Sequence, residues 1–131
     1  MSEERAITLE DLVFIHSGAI ARYGGASGIR DAGSLEAAVS RPYASFSGQE
    51  MFPGPLAKAA ALMESIIQRH PFVDGNKRTG AASGVYLLRR FGYRLTGVTN
   101  TDLVELALSL ASRRMNVEEL AAWFEDHAKP A

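Results

Sequence analysis

The chain has 131 residues, of which 47% are hydrophobic and 22% charged, and its formal net charge is −1. This length and composition suit one globular domain, and the near-neutral charge offers no basic field for direct nucleic-acid binding. The chain has no cysteine, which excludes disulfides and thiolate metal sites, and no apolar run approaches the roughly 18 residues that a membrane span needs. The N-terminal Met-Ser-Glu-Glu-Arg does not resemble a signal peptide. We therefore expect a single cytoplasmic domain over residues 1–131.

The first predicted helix begins at a capping-box pattern, Thr8-Leu9-Glu10-Asp11, and runs to about Tyr23, where two glycines end it. We expect His16, which adjoins the apolar face, to be a surface or capping histidine. The predicted inner face consists of Leu12, Ile15, Ala19 and Ile20.

A glycine-rich loop follows at residues 24–33, which contain four glycines. No strand pattern precedes it and no Gly-Lys-Ser/Thr follows it, so a Walker-type phosphate loop is excluded. A short helix is predicted from Ser34 to about Arg41, where Pro42 stops it. Residues 42–54 lack a helical period.

Two long helices are predicted in the middle of the chain, from Pro55 to about Arg69 and from about Lys77 to Phe91. His70 shares the phase of the apolar face of the first of these helices, so we expect it at the inner end of that face. Interior glycines at 80 and 84 predict a close approach of the two helices. The apolar positions of the first helix are Leu56, Ala59, Ala60, Met63, Ile66 and Ile67.

The rest of the chain predicts two further helices. After a brief extension at residues 93–98, Thr99 or Thr101 is expected to cap the first, and Asn116 opens a capping-box pattern for the second. The Lys-Pro-Ala tail is expected to fray. The predicted fold is thus an all-α, compact bundle of about six helices, with at most a short extended flap. The expected inner positions of these two helices are Leu103, Val104, Ala107, Leu110, Ala111, Val117, Leu120, Ala121 and Phe124.

The chemistry concentrates at residues 70–80, His-Pro-Phe-Val-Asp-Gly-Asn-Lys-Arg-Thr-Gly. Pro71 cannot continue the preceding helix, and Asn76 is predicted to be the N-cap of the next one. The stretch is therefore a helix–loop–helix corner that leads into a helix N-terminus, where free N–H groups and the macrodipole favour anions.

Each polar residue of this corner has a use in phosphate chemistry. Gly75 can adopt a positive φ and let N–H groups converge, and Lys77 and Arg78 add charge. Asp74 is a suitable oxygen ligand for Mg²⁺, and His70 can take a proton from a hydroxyl. These residues suit phosphoryl or nucleotidyl transfer, although a structural cap at His70 and a solvated first turn of the helix remain alternatives.

The sequence His-Pro-Phe-Val-Asp-Gly-Asn-Lys-Arg resembles the signature of the Fic/Doc (Fido) superfamily, His-x-Phe-x-Asp/Glu-Gly-Asn-Gly/Lys-Arg. The lysine at position 77 resembles the death-on-curing (Doc) toxin branch in particular. Residues 15–33 and 87–92 are also similar to that branch, so the resemblance extends from about Ile7 to Phe124.

This resemblance implies a set of roles. His70 would be the general base, and Asp74 would orient the incoming group or hold Mg²⁺. Asn76, Lys77, Arg78 and the Gly75 N–H would cradle the phosphates of ATP.

The lysine implies that ATP binds with its γ-phosphate beside His70, so that a protein hydroxyl, a threonine of elongation factor Tu in the Doc branch, is phosphorylated and translation stops. Ala81 replaces a second arginine of typical Fic motifs, which weakens the alternative of adenylylation, whereas Pro71 and Gly75 are more Fic-like. A non-catalytic partner-binding Fido domain is the third reading.

The resemblance also implies partners. No self-inhibitory Ser/Thr-x-x-x-Glu-Gly/Asn pattern is present, so we expect a separate antitoxin whose disordered segment folds into a surface groove. Residues 42–54 would form either a flap that docks the target protein or a packed connecting loop. Arg30 and Asp31 would form structural ion pairs or the rim of the site.

Overall fold

A computed structural model describes residues 6–131, so the acidic N-terminal residues lie outside the described part. The described residues form six α-helices: α1 (Leu9–Tyr23), α2 (Ala32–Ser40), α3 (Pro55–Arg69), α4 (Asn76–Arg90), α5 (Asn100–Ala111) and α6 (Val117–His127). A 3₁₀ turn spans Arg41–Tyr43, and the strands are β1 (Ser45–Phe46), β2 (Gln49–Glu50), β3 (Tyr93–Leu95) and β4 (Ala128–Pro130). The predicted mostly helical fold is confirmed. No helix within residues 6–131 is long and apolar enough to cross a membrane.

Helix α3 is the centre of the molecule. Its residues 58–63 are buried, as are Ile66 and Ile67, and the buried apolar side chains of the described residues form one cluster around it. Helix α4 approaches α3 closely, because a Cβ added to Gly80 would lie only 2.8 Å from Ile67 Cγ1 and 3.2 Å from the Met63 carbonyl oxygen. The prediction that interior glycines mark a close helix pair is confirmed.

Local capping chemistry sets where most helices begin. Thr8, Thr99 and Asn116 each form the reciprocal hydrogen bonds of a capping box. Asp31 caps α2 by accepting a hydrogen bond from the Ser34 N–H, so that helix begins two residues earlier than predicted. On α5 the predicted inner residue Val104 is exposed and Leu106 is buried instead.

Strands β1 and β2 form a short antiparallel hairpin that pairs Ser45 with Glu50. Phe46, at the tip of this hairpin, is 77% exposed. Lys58 of α3 is 6% exposed, and its Nζ lies 2.7 Å from both Glu50 Oε1 and the Phe52 carbonyl oxygen. The predicted extended flap is therefore present, and a buried amine joins it to the central helix.

The C-terminal tail does not fray as predicted. Residues 128–130 pair antiparallel with 93–95, and the Ala131 N–H donates to the Gly92 carbonyl at 2.8 Å. The tail is ordered because its backbone pairs with the strand after α4, and this long-range pairing cannot be read from the terminal Lys-Pro-Ala.

Candidate functional site

The motif forms the corner between α3 and α4. His70 is the C-cap of α3 and has a left-handed backbone, with φ 51° and ψ 56°. Its side chain is exposed, so the prediction that it lies at the inner end of the buried face is wrong. The left-handed turn and Pro71 take the chain out of the helical path, and the helical phase of α3 no longer sets the direction of the ring.

The glycine-rich loop supports this corner along its length. The N–H groups of Arg30 and Asp31 donate to the Pro71 carbonyl at 2.8 and 3.1 Å, and the Val73 N–H donates to the Gly28 carbonyl at 3.0 Å. The residues of the glycine-rich loop therefore pair with residues 70–74 through backbone hydrogen bonds, which hold the motif loop in place.

Arg30 contacts the end of α3 directly. Its Nε donates to the His70 carbonyl at 2.6 Å and its Nη2 to the Arg69 carbonyl at 2.7 Å. These carbonyls lie at the negative end of the helix, where a guanidinium is favoured. Arg30 therefore caps α3, and no ion pair of Arg30 or Asp31 is found within residues 6–131.

Asp74 is exposed and held by two backbone donors. Its Oδ2 accepts from the Ala26 N–H at 3.2 Å and its Oδ1 from the Gly75 N–H at 2.8 Å. These N–H groups, Ala26 first, lower the pKa of Asp74 below its ordinary value, and the charge of Arg78 adds to the effect. The carboxylate is therefore fully ionised at neutral pH.

Glycine at position 25 allows the loop to come this close to Asp74. A Cβ on Gly25 would lie 2.7 Å from Asp74 Oδ2. Among residues 6–131 no group of three or more histidine or acidic side chains is arranged to hold a metal. A single carboxylate such as Asp74 is enough for the usual Mg²⁺ site, in which one or two carboxylates, substrate phosphates and water coordinate the ion.

The start of α4 lacks a side-chain cap. Gly75, with φ 76°, is its N-cap, and the first helical hydrogen bond runs from the Thr79 N–H to the Gly75 carbonyl at 2.9 Å. The N–H groups of residues 76–78 therefore have no partner within residues 6–131. Lys77 and Arg78 are exposed beside them, and the Arg78 guanidinium lies 4.5 Å from the centre of the Tyr23 ring.

Asn76 was predicted to be the N-cap of α4, and that prediction is wrong. Its Oδ1 accepts from the Phe72 N–H at 3.0 Å, and its Nδ2 donates to the Phe72 carbonyl at 2.9 Å. The side chain satisfies both backbone groups of a buried loop residue, which a cap interaction within its own helix would leave without partners. In this arrangement the backbone N–H of Asn76, rather than its side-chain amide, is free at the start of α4.

His16 was predicted to be a surface or capping histidine, and this prediction is also wrong. The residue is 4% exposed, and its ring stacks on Phe72 with centroids 3.9 Å apart and planes 4° apart. Its Nε2 lies 2.8 Å from the Asp74 carbonyl oxygen. The available sequence signal was its position four residues after the buried Leu12, which places both on one helix face.

The structure thus brings every predicted site residue to one corner: His70, Asp74, Gly75, Asn76, Lys77 and Arg78. Their chemical roles stay predictions. The donor set fits a nucleotide phosphate, because three free N–H groups and two cations meet at a helix N-terminus. The contacts that the sequence did not predict are those of His16, Arg30, Gly25 and Tyr23 with this corner.

Comparison with known proteins gives the same assignment. The model of the Fic/DOC family matches residues 6–88. The chain is 39% identical over 107 residues to "Toxin Doc" of Mycolicibacterium smegmatis, across 81% of this chain and 82% of that protein. It is 31% identical over 117 residues to "Protein kinase doc" of Escherichia phage P1, across 89% of this chain and 90% of that protein. The chain belongs to the Fic/Doc family.

Proposed function

We propose that this protein is a Doc-like toxin that transfers the γ-phosphate of ATP to a hydroxyl of a target protein. The observation that carries the proposal is the uncapped start of α4, where the free N–H groups of residues 76–78 and the side chains of Lys77 and Arg78 share one corner with the exposed His70. The relatives named as a toxin and as a protein kinase support the same chemistry.

The residues of the corner have separate roles in the proposed reaction. The N–H groups of residues 76–78 and the side chains of Lys77 and Arg78 bind phosphate oxygens, and Asp74, ionised at neutral pH, is available to Mg²⁺. When bound, ATP with Mg²⁺ supplies the phosphoryl group and ADP as the leaving group. His70 takes the proton from the target hydroxyl at a ring nitrogen, so that its oxygen can bond to the γ-phosphorus as the bond to the bridging oxygen breaks.

Lys77 supports phosphoryl over nucleotidyl transfer. A glycine at this position leaves the helix start open to two successive phosphates, whereas a lysine side chain occupies part of that space and adds its own charge. Ala81 in place of a second arginine removes a further phosphate ligand. Adenylylation stays the alternative, since the free N–H groups and positive φ of Gly75 form the kind of nest that would also hold an α-phosphate.

The family assignment supports a proposal for the target protein and for the partner. We propose elongation factor Tu as the phosphorylated protein, with arrest of translation in the cytoplasm as the result. We also propose a cognate antitoxin whose disordered segment folds into a surface groove of this chain.

The chemistry is tested by incubating the purified protein with elongation factor Tu and ATP labelled at either the γ- or the α-phosphate. Label from the γ-position should reach the factor, and His70→Ala should abolish the transfer. Asn116→Ala, which removes the N-cap of α6 outside the motif, is the control for a general loss of stability. Transfer of the α-label would establish adenylylation. Transfer of neither label would contradict the proposed reaction on this target and favour a non-catalytic partner-binding domain.

The toxin assignment is tested by inducible expression in a bacterial host. The wild-type chain alone should arrest growth and His70→Ala should not. Harmless high-level expression of the wild-type chain would contradict both the toxin and the need for an antitoxin.

A further inference from the structure

His16 is the one buried histidine of the described residues, and the proposed reaction does not use it. It lies on α1, 58 positions before the motif carbonyl that it contacts. One face of its ring covers Phe72, and its Nε2 points at the carbonyl oxygen of Asp74. A buried polar ring with two contacts to the motif loop calls for an account of what it holds in place.

The contact identifies which ring nitrogen of His16 is the donor. A carbonyl oxygen only accepts hydrogen bonds, so Nε2 must carry a hydrogen at the observed separation of 2.8 Å. With the hydrogen on Nδ1 alone, the Nε2 lone pair would face the lone pairs of the oxygen. His16 is therefore a donor to the motif backbone.

The acceptor belongs to the peptide group that joins Asp74 to Gly75. Because a peptide group is planar, the direction of its oxygen sets the direction of its N–H. Glycine populates positive and negative φ about equally, so the backbone of Gly75 alone would let this peptide turn over. The observed φ of 76° at Gly75 is the state in which the oxygen is turned towards the buried ring of α1.

The alternative orientation would harm anion binding. A turned peptide would direct the Asp74 carbonyl oxygen away from α1 and to the side on which the Gly75 N–H now lies, at the N-cap of α4, where its partial negative charge would repel a phosphate. It would also break the hydrogen bond from the Gly75 N–H to Asp74 Oδ1, which helps to orient the carboxylate.

We propose that His16 is a positioning residue that holds the Asp74–Gly75 peptide in the orientation that keeps the start of α4 receptive to phosphate. The proposal rests on the proposed function, because the anion is taken to be the polyphosphate of a nucleotide. Packing supports it, since a Cβ added to Gly75 would lie 3.9 Å from His16 Nε2 and 3.2 Å from Ile20 Cδ1, so α1 lies directly against this peptide.

Two substitutions separate the hydrogen bond from the stacked ring. His16→Phe keeps an aromatic ring over Phe72 and removes the donor. His16→Gln keeps an N–H at about the position of Nε2 and removes the ring. Equilibrium binding of ATP with Mg²⁺, the kinetic constants for transfer and the amide NMR signal of Gly75 are measured for both variants and the wild type.

We expect His16→Phe to weaken ATP binding and raise KM for ATP by about 3–10-fold, the effect of one lost neutral hydrogen bond on the competent fraction. The kcat should change less, the Gly75 amide signal should shift or broaden without nucleotide, and His16→Gln should stay near the wild type. A purely structural role would lower Tm and leave KM and the Gly75 signal unchanged.

Three results would overturn the proposal. They are a His16→Phe variant with wild-type affinity, an equal loss of affinity in both variants, and an unchanged Gly75 signal in His16→Phe. If the wild-type protein itself binds no nucleotide, the proposed function fails, and the Gly75 signal still decides whether His16 holds the peptide.

Discussion

Arg30 offers a direct test of how the motif histidine is held. It donates two hydrogen bonds, of 2.6 and 2.7 Å, to the carbonyls of His70 and Arg69 at the end of α3. His70 has a left-handed backbone, which costs a non-glycine residue about 1–2 kcal/mol. Removing the guanidinium with Arg30→Met should therefore loosen the conformation that presents the His70 ring.

The size of the effect follows from the exposure of Arg30. Hydrogen bonds to charged groups contribute about 1.5–3 kcal/mol when buried, and about 0.5–1 kcal/mol each is reasonable where water can replace the donor. The two bonds together then contribute about 1–2 kcal/mol to the free energy of unfolding, or about 3–8 °C in Tm. If the same energy keeps His70 in its left-handed state, the competent fraction and kcat fall by about 5–30-fold.

The assay is γ-phosphate transfer at saturating ATP, with Tm measured in parallel. Asn116→Ala is the matched control, because losing that N-cap costs about 1 kcal/mol and leaves the α3 end intact. In a His70→Ala background Arg30→Met should cause no further loss of transfer. The reasoning is refuted if Arg30→Met, at a Tm similar to that of Asn116→Ala, transfers phosphate equally fast.

Three further predictions concern the surroundings of the site. Two N–H groups lower the pKa of Asp74 below its ordinary value of 3.8. The ionised carboxylate therefore contributes fully to the free energy of unfolding above that pH, and this contribution is lost as the pH falls through the folded-state pKa. Asp74→Asn should therefore flatten the fall in unfolding free energy in urea titrations below about pH 4, while Asp31, whose pKa is lowered by Ser34, keeps its own contribution. Lys58→Met should cost about 1–2 kcal/mol and speed hydrogen exchange in residues 45–50, because the buried amine joins the hairpin to α3; unchanged exchange would contradict this. Gly80→Ala should destabilise by about 1–2 kcal/mol, an overpacking cost that exceeds the gain in helix propensity. Gly84→Ala, whose added Cβ would meet nothing nearer than 3.3 Å, should be close to neutral in the same denaturation measurement.

The features that the sequence predicted well depend on residues close together in the chain. The capping boxes at Thr8 and Asn116 need only two side chains three positions apart. The α3–α4 pair follows from an apolar period and from interior glycines whose cost only a near neighbour explains. The end of the first of these helices before the motif follows from Pro71, which cannot continue it.

The failures came from partners that lie far apart in sequence or compete locally. The Asn76 side chain could bond either to the N–H groups of its own helix or to the backbone of buried Phe72, and it bonds to Phe72. His16 looked like a surface residue because its partner, the Asp74 carbonyl, is a backbone group that no side-chain pattern marks. The C-terminal tail gained order in the same way, from the backbone of β3.

The start of α4 differs in charge from the starts of the three helices that begin with a capping box. Helices α1, α5 and α6 each have an acidic residue in the first turn, which the macrodipole favours. In α4 that turn carries Lys77 and Arg78, each unfavourable by about 0.3–1 kcal/mol at that end, and Gly75 supplies no side-chain acceptor. Such a start is tolerated because α4 is held by its packing on α3 at Gly80, not by its own first turn. The binding of a polyphosphate would satisfy the free N–H groups and neutralise both cations at once. The groups that have no partner in the folded chain at this corner are therefore those that the proposed substrate would bind.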